Sequence, residues 1–203
     1  MHRKILYAWL DDPSNAMNSR KIAVIASLAA LSVVTNYAMV SFSNVKLMDF
    51  IVFIAGFSFG PLVGALTGIF SWSVYGPLNP YGFSLPVWFA TMFCEALYGV
   101  IGGLVRSRMG SESLQNVKKY RMNLGLSFAA LAVFMTLLYD IITNAVFGVL
   151  AYNNVMYAII IGFVPFGLLH VMSNFAFFGL GCAPTIGAIM KVTGGERSGI
   201  ANK

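Results

Sequence analysis

Three ionisable residues, Glu95, Asp140 and His170, fall inside long apolar runs of this 203-residue chain. An ionisable group in hydrocarbon costs about 2.5–3.5 kcal/mol even on the lenient insertion scale, so such groups usually face the interior of a helix bundle and mark function. Each shares a helical stripe with other polar or aromatic residues. Trp88, Thr91, Glu95, Tyr98 and Gly102 fall on one face, Thr136, Asp140 and Asn144 on a second, and Phe166, His170 and Asn174 on a third. Carboxylates accept hydrogen bonds, while imidazole and carboxamide groups both donate and accept. Together they could hold a small polar solute. The plain alternatives are an Asp140 bonded to Asn144 or a nearby hydroxyl, and a His170 that is only a satisfied polar core residue.

A second constellation is the stretch SWSVYGPLNPYGFSLPVW, which carries Trp72, Tyr75, Asn79, Tyr81 and Trp88 amid Gly and Pro. Trp and Tyr at a membrane surface are ordinarily headgroup anchors. The Pro and Asn content also suits a lid over a pocket, with the rings as stacking surfaces for a planar ligand. A third is G-x-S-x-G at Gly56-Phe57-Ser58-Phe59-Gly60, which with His170 could be read as the Ser–His pair of an intramembrane, rhomboid-like protease. That pattern is weak in a chain with 20 glycines. Phe59, not glycine, follows Ser58, and His170 lies in FGLLHVMSNF. Cys94 and Cys182 show no CxxC spacing, so neither a disulfide framework nor a thiolate metal site is indicated.

The elements that carry these residues are membrane helices. With 58% hydrophobic and 10% charged residues, the chain has too little polar surface to cover itself in water. The net charge of +6 belongs to loops and tails, where topology explains it without nucleic acid as a partner. The decisive stretch is 47–75, too long for one upright span of roughly 20 residues and short for two. Gly60-Pro61 lies near its middle, and proline breaks helices there. Splitting at that point gives six spans. With the N-terminus inside, Arg3, Lys4, Arg20, Lys21, Arg106, Arg108, Lys118, Lys119, Arg121, Lys191, Arg197 and Lys203 are all cytoplasmic, and Lys46 alone is outside. A five-span reading scatters the basic residues over both sides, so the positive-inside rule selects six.

The chain then divides into a cytoplasmic tail or interfacial helix over 1–19, a six-helix membrane domain over 20–192 and a cytoplasmic tail over 193–203, an all-α polytopic bundle. The first apolar run, from Ile22, lacks a cleavage pattern and reads as the first span. It carries Ala23/Ser27 and Ala26/Ala30 in small-xxx-small register, suited to a partner helix or to packing inside the bundle. Asp49 falls in the first turn of the second span, where a carboxylate complements the helix dipole. Gly60, Gly64 and Gly68 bare one face of the third span. The sixth contains Pro165 and Pro184.

At this point the chain resembles the substrate-binding S components of energy-coupling factor vitamin transporters, across about residues 20–192. The matching features are Ala26 and Ala30 as AxxxA, FGPLVGALTG at 59–68, GVIGGLV at the end of the fourth span, and YDIITN at 139–144. The resemblance implies a multi-pass plasma-membrane protein with both ends in the cytoplasm. It implies capture of a small vitamin-like solute from outside, and docking through Ala26 and Ala30 on a transmembrane T subunit driven by two ATPases. Nothing in the chain hydrolyses ATP, since there is no GxxxxGK[ST] loop, and no cofactor of its own is expected. Met1-His2 matches the start of the cobalt and nickel relatives, but HRKILYAW departs from their pattern, so no metal substrate is expected. A channel or assembly factor is the other non-enzymatic alternative.

A pocket in the outer half of the bundle, floored by spans 4 to 6 and closed by the loop between spans 3 and 4, makes Trp72, Tyr75, Asn79, Tyr81, Trp88, Glu95, Asp140, Asn144, His170 and Asn174 the expected substrate contacts. Two acids with no basic residue in the spans favour a cationic or donor-rich ligand. Thiamine-like nitrogen heterocycles therefore rank above folate-, biotin- or pantothenate-like acids, with cobalamin and deazapurine precursors also compatible.

Overall fold

A computed structural model describes residues 17–80, 82–110 and 116–200, with side chains as far as Lys191. The described residues form an all-helical bundle. In chain order these are α1 (Ser19–Ala38), α2 (Met48–Phe59), α3 (Pro61–Tyr75), α4 (Leu85–Arg108), α5 (Arg121–Ala151), α6 (Val155–Gly162) and α7 (Leu168–Ile200). A wide π-type turn, Phe163–Gly167, joins α6 to α7 as one kinked span. α1, α4, α5 and the α6–α7 unit are each long and apolar enough to cross a membrane.

The stretch 47–75 divides at Gly60-Pro61, as expected. Gly60 adopts φ 97°, a backbone that side chains rarely tolerate, and Pro61 opens α3 in the first turn, where its missing N–H costs nothing. The chain turns back on itself there. A Cβ placed on Gly64 would lie 2.5 Å from the Cα of Gly56, so residues four positions either side of the turn touch backbone to backbone. With 12 residues in α2, that leg rises about 18 Å, short of the roughly 30 Å hydrocarbon core. The pair is a short helical hairpin packed inside longer neighbours.

Glycine sets the closeness of that packing. A Cβ on Gly99 of α4 would come within 2.1 Å of the Gly64 carbonyl carbon, and one on Gly102 within 2.2 Å of the Phe53 carbonyl oxygen. In lipid, burying apolar side chains gives helices no net hydrophobic drive, so close backbone approach and dispersion hold them together. α2, α3 and α4 thus form one tightly fused unit. α5 and α7 meet by the same device, where Gly125 faces the Gly179 carbonyl. An aromatic cluster closes the seam between the two units: Phe53 of α2 lies tilted 5.1 Å from Phe178 of α7, and Tyr98 of α4 lies 6.2 Å from the same ring.

Residues 2–12 and Tyr81 lie outside the described residues. α7 runs on through Pro184 to Ile200, beyond the boundary expected at residue 192.

Candidate functional site

A cavity of about 440 Å³ opens at the end of the bundle where the α1–α2, α3–α4 and α5–α6 connections gather. Of the expected contact residues, Trp72, Tyr75, Asn79, Asp140 and Asn144 line it. α3 presents the two aromatic rings in its last turn, with Tyr75 edge-on to Trp72 at 5.4 Å. α5 presents Tyr139, Asp140, Thr143, Asn144 and Phe147 from its end nearer the cavity. The bare backbone of Gly162 admits the Asn144 amide, since a Cβ there would stand 2.3 Å from its Oδ1.

The rest of the expected set stands behind this wall. Glu95 is fully buried and accepts a hydrogen bond from the Trp72 indole Nε1–H at 3.2 Å, so it braces the ring that faces the cavity. Trp88 is not on the wall. Its Nε1–H donates to the Trp72 carbonyl at 2.7 Å and its ring packs on Gly76, so it fixes the end of α3. His170 and Asn174 are fully buried one layer below the cavity.

That layer holds the densest polar chemistry of the described residues. His170 Nδ1 lies 2.9 Å from Asp140 Oδ1, and its Nε2 lies 2.7 Å from Asp49 Oδ2. The same Asp49 oxygen accepts from the Asn174 amide at 2.6 Å. Asn174 also donates to Thr136 Oγ1 at 2.9 Å, and Thr136 shares a hydrogen bond with the Tyr98 hydroxyl at 2.9 Å. α2, α4, α5 and α7 are thereby linked by one buried network. Each imidazole–carboxylate contact needs one hydrogen between its two heavy atoms, so the two contacts of His170 share two protons with Asp49 and Asp140. A buried network of this kind is stabilising only when its members are paired, and it then fixes a single arrangement.

Asp49 and Lys46 stand at the site although sequence reasoning did not include them in it. Asp49 lies in the first turn of α2, as expected, and its side chain also anchors His170. The signal was available, because Asp49 is as much an acid in an apolar run as Glu95. Lys46, in the α1–α2 connection, lines the cavity with its Nζ 4.9 Å from the centre of the Trp72 ring. The expectation that no basic residue accompanies the acids therefore holds for the spans but not for the cavity. Asn44 of the same connection donates to the Phe166 carbonyl at 3.1 Å, tying it to the wide turn of the sixth span.

The protease constellation does not form. Ser58 is buried on α2 nine residues beyond Asp49, about 13 Å of helix rise, and its hydroxyl has no hydrogen-bond partner. Both nitrogens of His170 are occupied by carboxylates. Among the described residues no group of His, Cys, Asp and Glu has the arrangement of a metal site.

On α1, Ile25, Ala29, Ser32 and Asn36 turn into the bundle, whereas Ala26 and Ala30 lie on the exposed side. A family model described as ECF transporter, substrate-specific component, matches residues 20–179. No curated protein and no solved structure gives a match.

Proposed function

The chain belongs to the substrate-specific components of ECF transporters, and from that membership we propose that it captures a small water-soluble vitamin or related heterocycle at the cavity between its loops. It is a multi-pass, non-enzymatic subunit that binds a transport substrate. In the proposed cycle the cavity faces outward across the plasma membrane with both termini in the cytoplasm, consistent with the side on which the basic residues cluster. The exposed Ala26/Ala30 face then docks on a transmembrane T subunit, and two partner ATPases supply the energy.

The observation that carries this reading is the cavity itself: about 440 Å³, walled by aromatic rings and a few convergent polar groups, at one end of a membrane bundle. Its volume suits a one- or two-ring compound. Trp72, Tyr75, Asn79, Asp140 and Asn144 are the proposed direct contacts, with Trp88 fixing the end of α3 behind them. Glu95, His170 and Asn174 support the contacts from behind.

The test is reconstitution. Vesicles that hold this chain with a T subunit and two ATPases should accumulate a labelled vitamin on ATP addition, while vesicles holding the chain alone should bind it without accumulating it. Accumulation by the chain alone, down a gradient and without ATP, would instead indicate a channel.

A further inference from the structure

The wall of the cavity carries polar groups of both signs, Asp140 and Lys46. Asp140 has Oδ1 committed to His170 while its Oδ2 has no hydrogen-bond partner, although the residue is only 5% exposed. Beside it on the wall, Tyr139, also 5% exposed, has a hydroxyl with no partner. Buried polar atoms without partners are rare in native structures and call for a missing one. The Asp140 Oδ2 can accept a hydrogen bond, so a donor would complete it. On the same wall, Lys46 brings an ammonium group, which can only donate. The rings of Trp72 and Tyr75 line the same cavity, with the Lys46 Nζ 4.9 Å from the centre of the Trp72 ring.

Resting on the reading of the cavity as a substrate site, we propose that its substrate is an amphoteric nitrogen heterocycle. A flat ring bearing an amino or ring N–H edge is held at Asp140 and Tyr139, and an acidic substituent on the same molecule is held at Lys46. The ring packs against the aromatic wall that Trp72 and Tyr75 form together, where contact needs only a planar π-system. The acid is neutralised by Lys46, and the N–H edge supplies the donor that Asp140 lacks. A plain cation leaves Lys46 facing like charge, and a plain acid leaves Asp140 unsatisfied. His170 and Asp49 are positioning residues in this scheme, because they pin the Asp140 carboxylate in one orientation without touching the ligand.

The test is calorimetric titration of the purified full-length chain in detergent with matched probes. Thiamine monophosphate, pyridoxamine 5′-phosphate and pterin-6-carboxylate each carry both groups. Thiamine, pyridoxamine and pterin keep the N–H edge without the acid, and nicotinate and pantothenate carry an acid without the amino heterocycle. At least one of the first three should bind about tenfold or more tighter than its acid-free counterpart and than either simple acid. Lys46→Gln should abolish the preference for the acid-bearing partner, and Asp140→Asn should weaken the N–H-bearing probes. Tyr139→Phe, which removes a single hydroxyl, carries the same comparison where Asp140→Asn does not yield folded protein. Asp49→Asn should lower the ratio of affinities between pyridoxamine 5′-phosphate or its tight-binding equivalent and nicotinate, which general loosening of the fold would not do. Tightest binding by nicotinate or pantothenate, no binding by any amphoteric probe, or an acid preference untouched by Lys46→Gln overturns the proposal. If a simple acid binds and its uptake still requires the T subunit and ATPases, the transport reading stands and only the substrate class falls.

Discussion

Nε2 of His170 lies 2.7 Å from Oδ2 of Asp49, joining α7 to α2 across 121 residues of sequence. This contact, not the aromatic rim of the cavity, holds the two glycine-packed units of the bundle in register, since Asn174 of α7 converges on the same oxygen. Removing the acceptor strands two buried donors at once. Breaking a buried pair by deleting one partner typically costs about 3–5 kcal/mol. Asp49→Ala should therefore lower the thermal midpoint of the detergent-solubilised protein by many degrees, and Asp49→Asn, which keeps one acceptor oxygen, should lower it less. Equal midpoints for Asp49→Ala and the parent chain would show that the network does not hold the fold.

The glycine interfaces give a sharper stability contrast. A Cβ on Gly56 would stand 1.8 Å from the Gly99 carbonyl oxygen, a backbone atom that can move only if the whole helix moves, whereas one on Gly110 would meet nothing within 4 Å. Overpacking a well-filled core costs about 1–3 kcal/mol and more when backbone is the obstacle. Gly56→Ala should abolish a monodisperse peak in size-exclusion chromatography. Gly110→Ala should elute as the parent does.

How much of this was legible follows from the range over which each signal acts. The break at Gly60-Pro61 is local chemistry, and the split into α2 and α3 follows from it. The bundle-facing stripes on α4 and α5 are also local, since helical spacing alone aligns Tyr98 with Glu95 and Thr136 with Asp140. That the Tyr98 and Thr136 side chains would meet at 2.9 Å needed the packing of the two helices. Asp49 was read through its own helix as a dipole complement, because its partners His170 and Asn174 are both on α7, 121 and 125 residues away in sequence. Lys46 was set aside as an outer-loop charge, and only the folding of the α1–α2 connection over α3 brings it to Trp72. Loop residues of a membrane protein carry no periodicity from which such a placement could be read.

The two tryptophans near the cavity should report differently on binding. Trp72 lines the cavity and Trp88 stands behind it. A planar ligand stacked in the cavity should quench Trp72, so Trp72→Phe should remove most of the ligand-dependent fluorescence change and Trp88→Phe should retain it. Trp72→Phe also leaves the buried Glu95 carboxyl without its indole donor, so affinity should fall by about tenfold. A fluorescence change that survives Trp72→Phe and vanishes with Trp88→Phe would move the binding site toward the α3–α4 connection.

The α1 surface separates binding from transport. Ala26 and Ala30 lie on the exposed side of α1, while Ala29, 7% exposed, packs into the bundle. A tryptophan at Ala26 or Ala30 adds bulk where a neighbouring helix from another subunit would approach, but it meets nothing that holds the cavity together. In the proposed docking mode, Ala26→Trp and Ala30→Trp should leave substrate affinity within about twofold, as expected of surface substitutions away from buried features. ATP-dependent uptake by the reconstituted complex should fall to near background, as should co-purification with the T subunit. Ala29→Trp is the control for damage to the bundle, because its ring must enter space already filled by neighbouring helices, and it should lose binding and uptake together. If Ala26→Trp and Ala30→Trp behave like Ala29→Trp, that face packs the bundle and does not dock. If all three leave uptake intact, α1 is not the helix that the T subunit engages.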